Sequence, residues 1–373
     1  MHERDRFSHL YLLGRTGTGK STLLKLLALQ DILAKKGIAI VDPHGDLVRE
    51  LVEVARPYRS LRVLSAAQAG FYFNPLLASK ETPRPLLVAS ILSVFEKLWE
   101  DSWGPRLEHL LRNVLYTLTS NPGTTLAEIP RLLAEKSYRN RLVRPIQDLS
   151  VRQFWFDEYA KYSPGFRSVV VAPLQNKLGA LLTDYRLREI LTAKTGSLDL
   201  DAALDQSSVL LFDLSKGQLG EGPSALLGGF LTAHLTLAGL ARSRMPEEKR
   251  APFFIYLDEY PSYATSLLAT ALSELRKYRV GLILAHQYLA QLDRYLRDAA
   301  LGNVGSLITF RVGAPDAPLI ARELLPRFDV TDLVSLPNYM VYTRLMIAGQ
   351  VSKPFSFRTY ADLSQIQHGW QKK

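Results

Sequence analysis

The sequence contains no cysteine, so disulfides, thiolate metal sites and cysteine nucleophiles are all excluded. It also has no long apolar segment near residue 1, because charged residues come first in MHERDRFSHLYLLG and only a short apolar run precedes the glycine. A secretory signal peptide is therefore not expected, and a reducing cytosolic setting is allowed. The longest apolar stretch, residues 224–241, contains a histidine, two threonines and several glycines, which favours a buried helix over a membrane span.

Basic residues outnumber acidic ones. Among 373 residues, 46 are Lys or Arg and 36 are Asp or Glu, which gives a formal net charge of +10. Such a surface attracts polyphosphates, so nucleic acid is the favoured partner, although an arginine-rich proteome would give the same balance. Hydrophobic residues make up 47% and charged residues 22%, as in soluble globular proteins. The length predicts either one enlarged α/β domain or a core with an insertion.

Short β-rich runs recur along the chain, separated by helical stretches. This alternation is typical of an α/β fold in which helices cover both faces of a mostly parallel sheet. Most runs are continuously apolar, as expected for strands buried on both faces. The candidate strands are residues 9–13, 38–41, 209–212, 253–257, 281–285 and 307–311, with an edge strand over 340–347 and a hairpin through 349–357.

The segment between residues 85 and 204 has a different character, because strand-like runs disappear and apolar residues recur with a helical period. Its clearest helix follows Pro105, a residue suited to a first helical turn. Apolar residues there form one stripe at positions 107, 110, 111, 114, 115 and 118. The sequence therefore predicts an all-helical insertion over residues 85–204, within an α/β core formed by residues 1–84 and 205–373.

A phosphate-binding motif follows the first candidate strand. Residues 14–21, GRTGTGKS, match G-x-x-x-x-G-K-[ST] and lead into a predicted helix over 21–30, which is the context that the motif requires. The glycines allow backbone N–H groups to approach phosphate oxygens, Lys20 supplies a mobile charge, and the Ser21 hydroxyl is a hard ligand for Mg²⁺. The predicted nucleotide-binding residues are Gly14, Thr16, Gly17, Thr18, Gly19, Lys20, Ser21 and Thr22.

A phosphate-loop enzyme also needs a carboxylate at the end of another strand. Asp42, Asp213 and Asp258 each follow a candidate strand, so position alone leaves three choices. Asp258 is the one followed by a second carboxylate, Glu259. We therefore expect Asp258 to hold Mg²⁺ and Glu259 to act as the base for the attacking water.

Other polar residues also follow strands. The turn of residues 42–46, DPHGD, could border the site, but a structural role in the turn explains His44 and Asp46 slightly better, with Asp46 as the cap of a helix that begins at residue 47. Gln287 follows the strand over 281–285, where its amide could bind the γ-phosphate or the water. Arg276 precedes the same strand and is a candidate arginine finger, although a cation there also complements a helix dipole.

Several sequence blocks together are far more specific than the phosphate loop alone. The chain resembles the HerA/FtsK superfamily of hexameric DNA-pumping ATPases, and within it the type IV secretion coupling proteins of conjugation, with a motor domain of the TraD/TraG type. The resemblance covers nearly the whole chain. The blocks, in the family's order, are GRTGTGKSTLL, VDPHGDL, WGPRLEHLLRN, LLFDLSKGQLG, FFIYLDEY, LRKYRVGLILAHQYLAQL, GNVGSLITFRVG and LPNYMVYTRL.

The resemblance implies a RecA-like motor domain with an all-helical insertion between the Walker A and Walker B motifs. It also implies a homo-oligomer, a hexameric ring that binds ATP and Mg²⁺ at subunit interfaces and DNA in a central channel. Arg276 would act in trans as the arginine finger, Gln287 would be a sensor, and Arg311 would be a further interface or sensor arginine. Channel-lining candidates are Lys177, Arg186, Arg188 and Lys216.

The expected function is ATP-driven translocation of DNA without sequence preference. Two alternatives share the motifs: a HerA-like motor for DNA end processing in repair, and a secretion or pilus assembly ATPase that acts on protein. The corresponding partners are a relaxase, a secretion channel or a nuclease. Coupling proteins commonly carry membrane helices upstream of the phosphate loop, which here begins at residue 14. We therefore expect a cytoplasmic protein whose contact with the inner face of the membrane depends on upstream segments or partners.

Overall fold

The computed structural model describes residues 2–68, 70–79, 81–194 and 198–361 of the chain. The strands are β1 (Leu10–Leu13), β2 (Gly37–Asp42), β3 (Arg62–Ser65), β4 (Val209–Asp213), β5 (Phe253–Asp258), β6 (Val280–His286), β7 (Ser306–Thr309), β8 (Met340–Arg344), β9 (Met346–Ile347), β10 (Gln350–Val351) and β11 (Phe355–Arg358). Nine of them form one sheet in the order β11-β8-β7-β1-β6-β5-β2-β4-β3. From β7 to β3 neighbouring strands are parallel, whereas β8 is antiparallel to both β7 and β11.

The helices cover both faces of this sheet. They are α1 (Glu3–Arg6), α2 (Lys20–Leu33), α3 (Asp46–Ala55), α4 (Arg84–Leu98), α5 (Pro105–Thr119), α6 (Ile129–Ala134), α7 (Lys136–Val143), α8 (Leu149–Gln153), α9 (Pro164–Thr183), α10 (Tyr185–Leu191), α11 (Leu200–Asp205), α12 (Lys216–Leu219), α13 (Glu221–Ala241), α14 (Ser266–Glu274), α15 (Arg294–Asn303), α16 (Ala317–Leu324) and α17 (Val330–Ser335). The predicted α/β class with a mostly parallel central sheet is confirmed.

Alternate residues of the central strands point into two hydrophobic cores. In β1, Tyr11 and Leu13 pack with the helices between β3 and β4, whereas Leu10 and Leu12 pack with α2 and α3. This division follows from the two-residue repeat of a strand. Because each central strand is covered on both sides, its sequence is apolar throughout, which explains why these strands were recognisable.

Between β3 and β4, the described residues from Arg84 to Asp205 form helices α4–α11 and no strand. Helix α5 carries the predicted apolar stripe, and all six stripe residues are buried. The helices share one continuous hydrophobic core with one face of the sheet. The division into an insertion domain over 85–204 and a core of 1–84 and 205–373 therefore stays a prediction.

Helix α13 is the predicted buried helix. The segment Glu221–Arg244 is long and apolar enough to cross a membrane by length and composition, but 89% of its apolar window is buried inside the protein. A Cβ added to Gly228 would lie 2.5 Å from the ring of Tyr263, and one added to Gly229 would lie 2.9 Å from Val94 of α4. The two glycines thus allow α13 to pack closely against its neighbours on two sides.

Two features of the sheet differ from the sequence predictions. Strand β3 was not predicted, because it lies at the sheet edge and its first residues, Arg62 and Val63, are exposed rather than apolar and buried. The segment 340–347 was expected to form an edge strand. Instead β8 lies inside the sheet, β11 forms the edge, and β9 pairs with β10 in a separate hairpin.

Candidate functional site

The phosphate loop joins the carboxyl end of β1 to the first turn of α2. The Gly14 N–H donates to the carbonyl of His286 at the end of β6, and the Arg15 N–H donates to the carbonyl of Arg311 after β7. Both neighbours of β1 therefore hold the start of the loop. Gly17 and Gly19 have φ of 77° and 111°, a backbone region that other residues rarely adopt. The predicted strand, loop and helix are all present, and the loop N–H groups lie at the positive end of α2.

Lys20 and the acidic pair converge, although they are more than 200 residues apart in sequence. The Lys20 Nζ lies 3.0 Å from Glu259 Oε1 and 3.7 Å from Asp258 Oδ1. Asp258 is the last residue of β5, which is separated from β1 by β6 alone. Parallel strands place their carboxyl ends at one edge of the sheet, so the loop and the acidic pair meet there.

The two carboxylates of the pair have different electrostatic surroundings. Burial raises the pKa of Asp258 to about 6, partly offset by Lys20, and the nearby Asp42 also raises it. Burial raises the pKa of Glu259 as well, but Lys20 and the hydrogen bond from Gln287 outweigh it and hold that pKa below its ordinary value. Glu259 is therefore ionised at neutral pH, as a group that orients water must be.

Gln287 belongs to the same group of side chains. Its Nε2 donates to Glu259 Oε1 at 2.9 Å, and its Oε1 accepts from the Thr16 hydroxyl at 2.8 Å. The predicted sensor thus joins the phosphate loop to the predicted base. Glu259 itself has a left-handed backbone with φ of 50°. Such a conformation is unfavourable in a residue other than glycine, so the surrounding contacts must hold it in place.

Gln291 supports this arrangement and was missed by the sequence analysis. Its Oε1 accepts from the backbone N–H of Gln287 and of Tyr288, both at 3.3 Å, and lies 3.2 Å from His286 Nδ1. Its Nε2 points toward Glu259 Oε2 at 3.5 Å. Gln291 lies within the block LRKYRVGLILAHQYLAQL, but nothing in that block distinguishes it from the other polar residues as a partner of Gln287.

The other two strand-end aspartates are occupied by the backbone of their own turns. Asp42 accepts from the N–H groups of His44 and Val48, and Asp213 accepts from the N–H and the hydroxyl of Ser215. Asp258 is the strand-end aspartate that faces Lys20. The expectation that Asp46 caps α3 is wrong, because Gly45 is the N-cap residue and the Asp42 side chain accepts from the first-turn N–H of Val48.

Two predicted arginines do not line the cavity that the phosphate loop and acidic pair form. Arg276 is exposed in a turn that leads into the amino end of β6, at the opposite edge of the sheet. The Arg311 guanidinium donates to the Leu336 carbonyl at 3.2 Å and to Asn338 Oδ1 at 3.0 Å within the same chain. Neither arginine therefore contacts the acidic pair within the chain.

The cavity at this edge has a volume of about 240 Å³. Gly14 and Thr18 do not line it, since Gly14 packs against Phe310 and the Thr18 hydroxyl donates to the Arg15 carbonyl. Tyr339 lines it and was not predicted; it lies in the block LPNYMVYTRL, which contains no phosphate-binding motif. The lining residues are Arg15, Thr16, Gly17, Gly19, Lys20, Ser21, Thr22, His44, Asp258, Glu259, Gln287 and Tyr339.

The donor set fits Mg²⁺ bound together with a nucleotide. The Ser21 hydroxyl and the Asp258 carboxylate both line the cavity and are hard oxygen donors. Within the described part of the chain there is no cluster of three or more His, Cys, Asp or Glu residues that could hold a metal. An ion here would take its remaining ligands from phosphate and water, which is how Mg²⁺ commonly binds.

Solved structures with the same fold include conjugative coupling proteins. The chain is 19% identical to the plasmid coupling protein TrwB in complex with the ATP analogue ADPNP, over 96% of this chain and 87% of that one, with a TM-score of 0.71. TrwB in complex with ADP and Mg²⁺ is 18% identical over 97% and 87%, with a TM-score of 0.67. VirB4 of Thermoanaerobacter pseudethanolicus is 15% identical over 96% and 91%, with a TM-score of 0.67. The fold is therefore the RecA-like fold of phosphate-loop NTPases.

At the level of sequence, no curated protein matches the chain. Residues 4–221 do match a protein family described as the central domain of the helicase HerA. The matched segment contains the phosphate loop, the helices between β3 and β4, and β4. Because it spans more than half of the 373 residues, the chain belongs to the HerA central-domain family.

Proposed function

We propose that the protein is a Mg²⁺-dependent ATP hydrolase that drives the movement of DNA as a ring-shaped, hexameric motor of the conjugative coupling type. The observation that supports this most directly is the convergence of Lys20, Asp258, Glu259 and Gln287 at one edge of the sheet. The fold similarity to TrwB, which was solved with ADPNP and with ADP and Mg²⁺, supports ATP and Mg²⁺ as the ligands.

The chemistry follows from where the side chains lie. The loop N–H groups and the Lys20 ammonium bind phosphate oxygens, and Lys20 also offsets the buried charge of the acidic pair. Bound Mg²⁺, held by Ser21 and Asp258, would neutralise charge that develops on the phosphates. Glu259, ionised and fixed by Gln287, accepts a hydrogen bond from water and orients it for attack.

Arg276 acts on a neighbouring subunit in this proposal. It is exposed at the sheet edge opposite the phosphate loop, so it cannot reach the site of its own chain. A ring in which that edge faces the next subunit would bring the guanidinium to the neighbour's nucleotide. This is the role of an arginine finger supplied in trans, and it requires a head-to-tail interface.

DNA is the proposed substrate because the chain has a net charge of +10. Charge-driven binding to the DNA backbone is independent of sequence and weakens steeply with salt. Arg186 of α10 donates to the carbonyl of Gln218 in α12, so two channel candidates, Arg186 and Lys216, lie on adjacent helices. The partner protein, which would be a relaxase, a secretion channel or a nuclease, would then determine the process in which the motor acts. Binding to such a partner would also hold this cytoplasmic protein at the membrane.

The decisive experiment is ATP turnover with and without DNA. We expect duplex or single-stranded DNA at low salt to raise the turnover rate, with the stimulation lost as salt increases. A mass measurement with ATP and Mg²⁺ should show the hexamer. The Lys20→Ala variant is the control for contaminating ATPases. If saturating DNA leaves turnover unchanged, the DNA motor is excluded and an ATPase that acts on protein is favoured instead.

A further inference from the structure

Tyr339 closes one side of the phosphate-loop cavity. A Cβ added to Gly19 would lie 2.8 Å from Tyr339 Cδ1, so the ring covers the glycine that precedes Lys20. The Tyr339 N–H donates to the carbonyl of Thr18 at 2.8 Å. The ring also lines the cavity together with Ser21 and Thr22. Tyr339 is therefore joined to the phosphate loop through both its backbone and its ring.

The order of the strands places Tyr339 opposite the acidic pair. Glu259 follows β5 and Gln287 follows β6, on one side of the strand that carries the phosphate loop. Tyr339 directly precedes β8, two strands away on the other side. A nucleotide whose terminal phosphate lies at Lys20 and Glu259 must extend its ribose and base away from them. Among the described residues that line the cavity, Tyr339 supplies the aromatic ring in that direction.

Arg311 holds the segment that carries this tyrosine. Its guanidinium donates to the Leu336 carbonyl and to Asn338 Oδ1, and its own carbonyl accepts from the Arg15 N–H at 3.0 Å. On the other side, the Tyr339 carbonyl accepts from the Thr359 N–H at 2.7 Å. Tyr339 has a left-handed backbone with φ of 64°, which a tyrosine adopts only when its surroundings impose it.

We propose that Tyr339 forms the wall that contacts the ribose and base of the bound nucleotide, and that Arg311 is its positioning residue. This inference rests on the proposed function, since it assumes a nucleotide in the cavity. An aromatic face contacts a base by stacking and does not read its hydrogen-bonding edge. Contact with Tyr339 therefore does not distinguish one base from another, so the affinities for ATP and for GTP should depend on Tyr339 to the same degree.

Inorganic tripolyphosphate separates this role from simple support of the phosphate loop. It carries the phosphates of ATP without ribose or base, so its affinity reports on the loop, Lys20 and Mg²⁺. Binding of ATP, GTP and tripolyphosphate, each with Mg²⁺, should be measured by calorimetry for the full chain. We expect Tyr339→Ala to weaken ATP and GTP about tenfold, the typical loss of one stacking contact, and to leave tripolyphosphate unchanged. Tyr339→Phe should restore nucleotide affinity.

Arg311→Ala should show the same selective loss. Combined with Tyr339→Ala it should add little further, because the two residues act as one unit. Arg327→Ala is the matched control, because Arg327 also donates to a backbone carbonyl, that of Pro354. This variant should change the affinity for neither nucleotide nor tripolyphosphate. If Arg311→Ala fails to fold, Asn338→Ala removes one of the acceptors of Arg311 and should give the selective loss.

Two results would overturn the assignment of Tyr339. Equal loss of ATP and tripolyphosphate in Tyr339→Ala would show that the ring only supports the loop, and no loss of either would show that it contacts neither. Failure of the proposed nucleotide site looks different, because the unaltered protein would then bind neither ATP nor tripolyphosphate. Failure of the DNA motor alone would leave all three affinities and the effect of Tyr339→Ala unchanged.

Discussion

Asp258 and Glu259 are adjacent in sequence and both face Lys20, yet their surroundings move their pKa values in opposite directions. The pKa of Asp258 is raised to about 6 by burial, whereas that of Glu259 is lowered because Lys20 and Gln287 outweigh burial. The residue nearer to Lys20 is thus the more acidic one. A bound Mg²⁺ would therefore further stabilise the ionised form of Asp258. Glu259 is already ionised in the absence of a metal ion.

Lys20→Ala and Glu259→Gln should have different effects on the binding and the hydrolysis of ATP. Removing the Lys20 ammonium removes the cation that binds phosphate, so ATP binding should be lost. Glu259→Gln leaves the phosphate loop intact, so ATP should still bind while turnover falls by ~100-fold or more, the scale of lost general base catalysis. Binding is measured by calorimetry and turnover by phosphate release.

Asp46→Asn is the matched control for this comparison. Asp46 lies at the same edge of the sheet, but its side chain is 70% exposed and pairs with Arg49. Binding and turnover should both persist in this variant. An equal loss of ATP binding in Lys20→Ala and Glu259→Gln would contradict the separate roles.

Gln291→Ala should lower turnover more than binding. Gln291 accepts from the backbone of Gln287 and Tyr288, so its loss frees the segment that holds Gln287 against Glu259. A displacement of about 1 Å at such a position costs up to ~100-fold in rate. The kcat should fall while the Kd for ATP changes less than about threefold. Gln30→Ala, on the exposed face of α2, should alter neither, and a fall in affinity that matches the fall in kcat would refute a positioning role.

Mixed oligomers test whether Arg276 acts across a subunit interface. Arg276→Ala subunits keep a complete phosphate loop, and Lys20→Ala subunits keep the arginine. Each variant alone should be inactive, and mixing them should restore part of the turnover because some sites combine an intact loop with a neighbour's Arg276. Lys277→Ala, which removes an exposed lysine paired with Glu274, should be active on its own. Absence of rescue in a mixture shown to contain both variants would exclude the trans role.

His9 makes the stability of the protein sensitive to acid. Burial lowers its pKa to about 4, and its ring accepts from the Leu282 N–H at Nδ1 while Nε2 donates to the Leu272 carbonyl. Below a pH of about 6.5, His9 binds a proton in the unfolded chain but stays neutral in the folded protein. The free energy of unfolding therefore falls as the pH drops from about 6.5 to about 4. A shift of this size corresponds to roughly 3 kcal/mol.

In His9→Gln the amide keeps one donor and one acceptor without titrating. Its free energy of unfolding, measured with urea between pH 7 and pH 4.5, should therefore depend less on pH than that of the unaltered protein. The exposed His2→Gln should leave the dependence unchanged. An identical pH dependence in His9→Gln and the unaltered protein would rule out His9 as a source of acid sensitivity.

The sequence predicted the central sheet and the phosphate loop because both depend on local patterns. Strands buried on both faces are apolar throughout, and the loop has fixed glycines between a strand and a helix. The choice of Asp258 over Asp42 rested only on the neighbouring Glu259. In the structure Asp42 is bound to its own turn and Asp258 faces Lys20, an arrangement that is consistent with this choice.

What the sequence could not predict depends on contacts between distant segments. Strand β3 is short, exposed at its start and held in place by pairing with β4. Gln291 and Tyr339 lie within blocks that carry the family resemblance, but no phosphate-binding motif marks them, and they reach the site because the strand order brings their turns to one edge. The cap of α3 comes from Asp42, four residues before the helix begins, and a local capping pattern does not show such a contact.

Tyr263 mechanically links the acidic pair to the helices between β3 and β4. Its hydroxyl donates to the carbonyl of Asp258, and its ring fills the space that Gly228 leaves on α13. The next residue, Gly229, accommodates Val94 of α4 in the same way. A tightly packed interior has low compressibility and transmits strain. The end of β5 is therefore joined to α13 through Tyr263, and α13 to α4 through Gly229 and Val94, by direct contacts between packed groups.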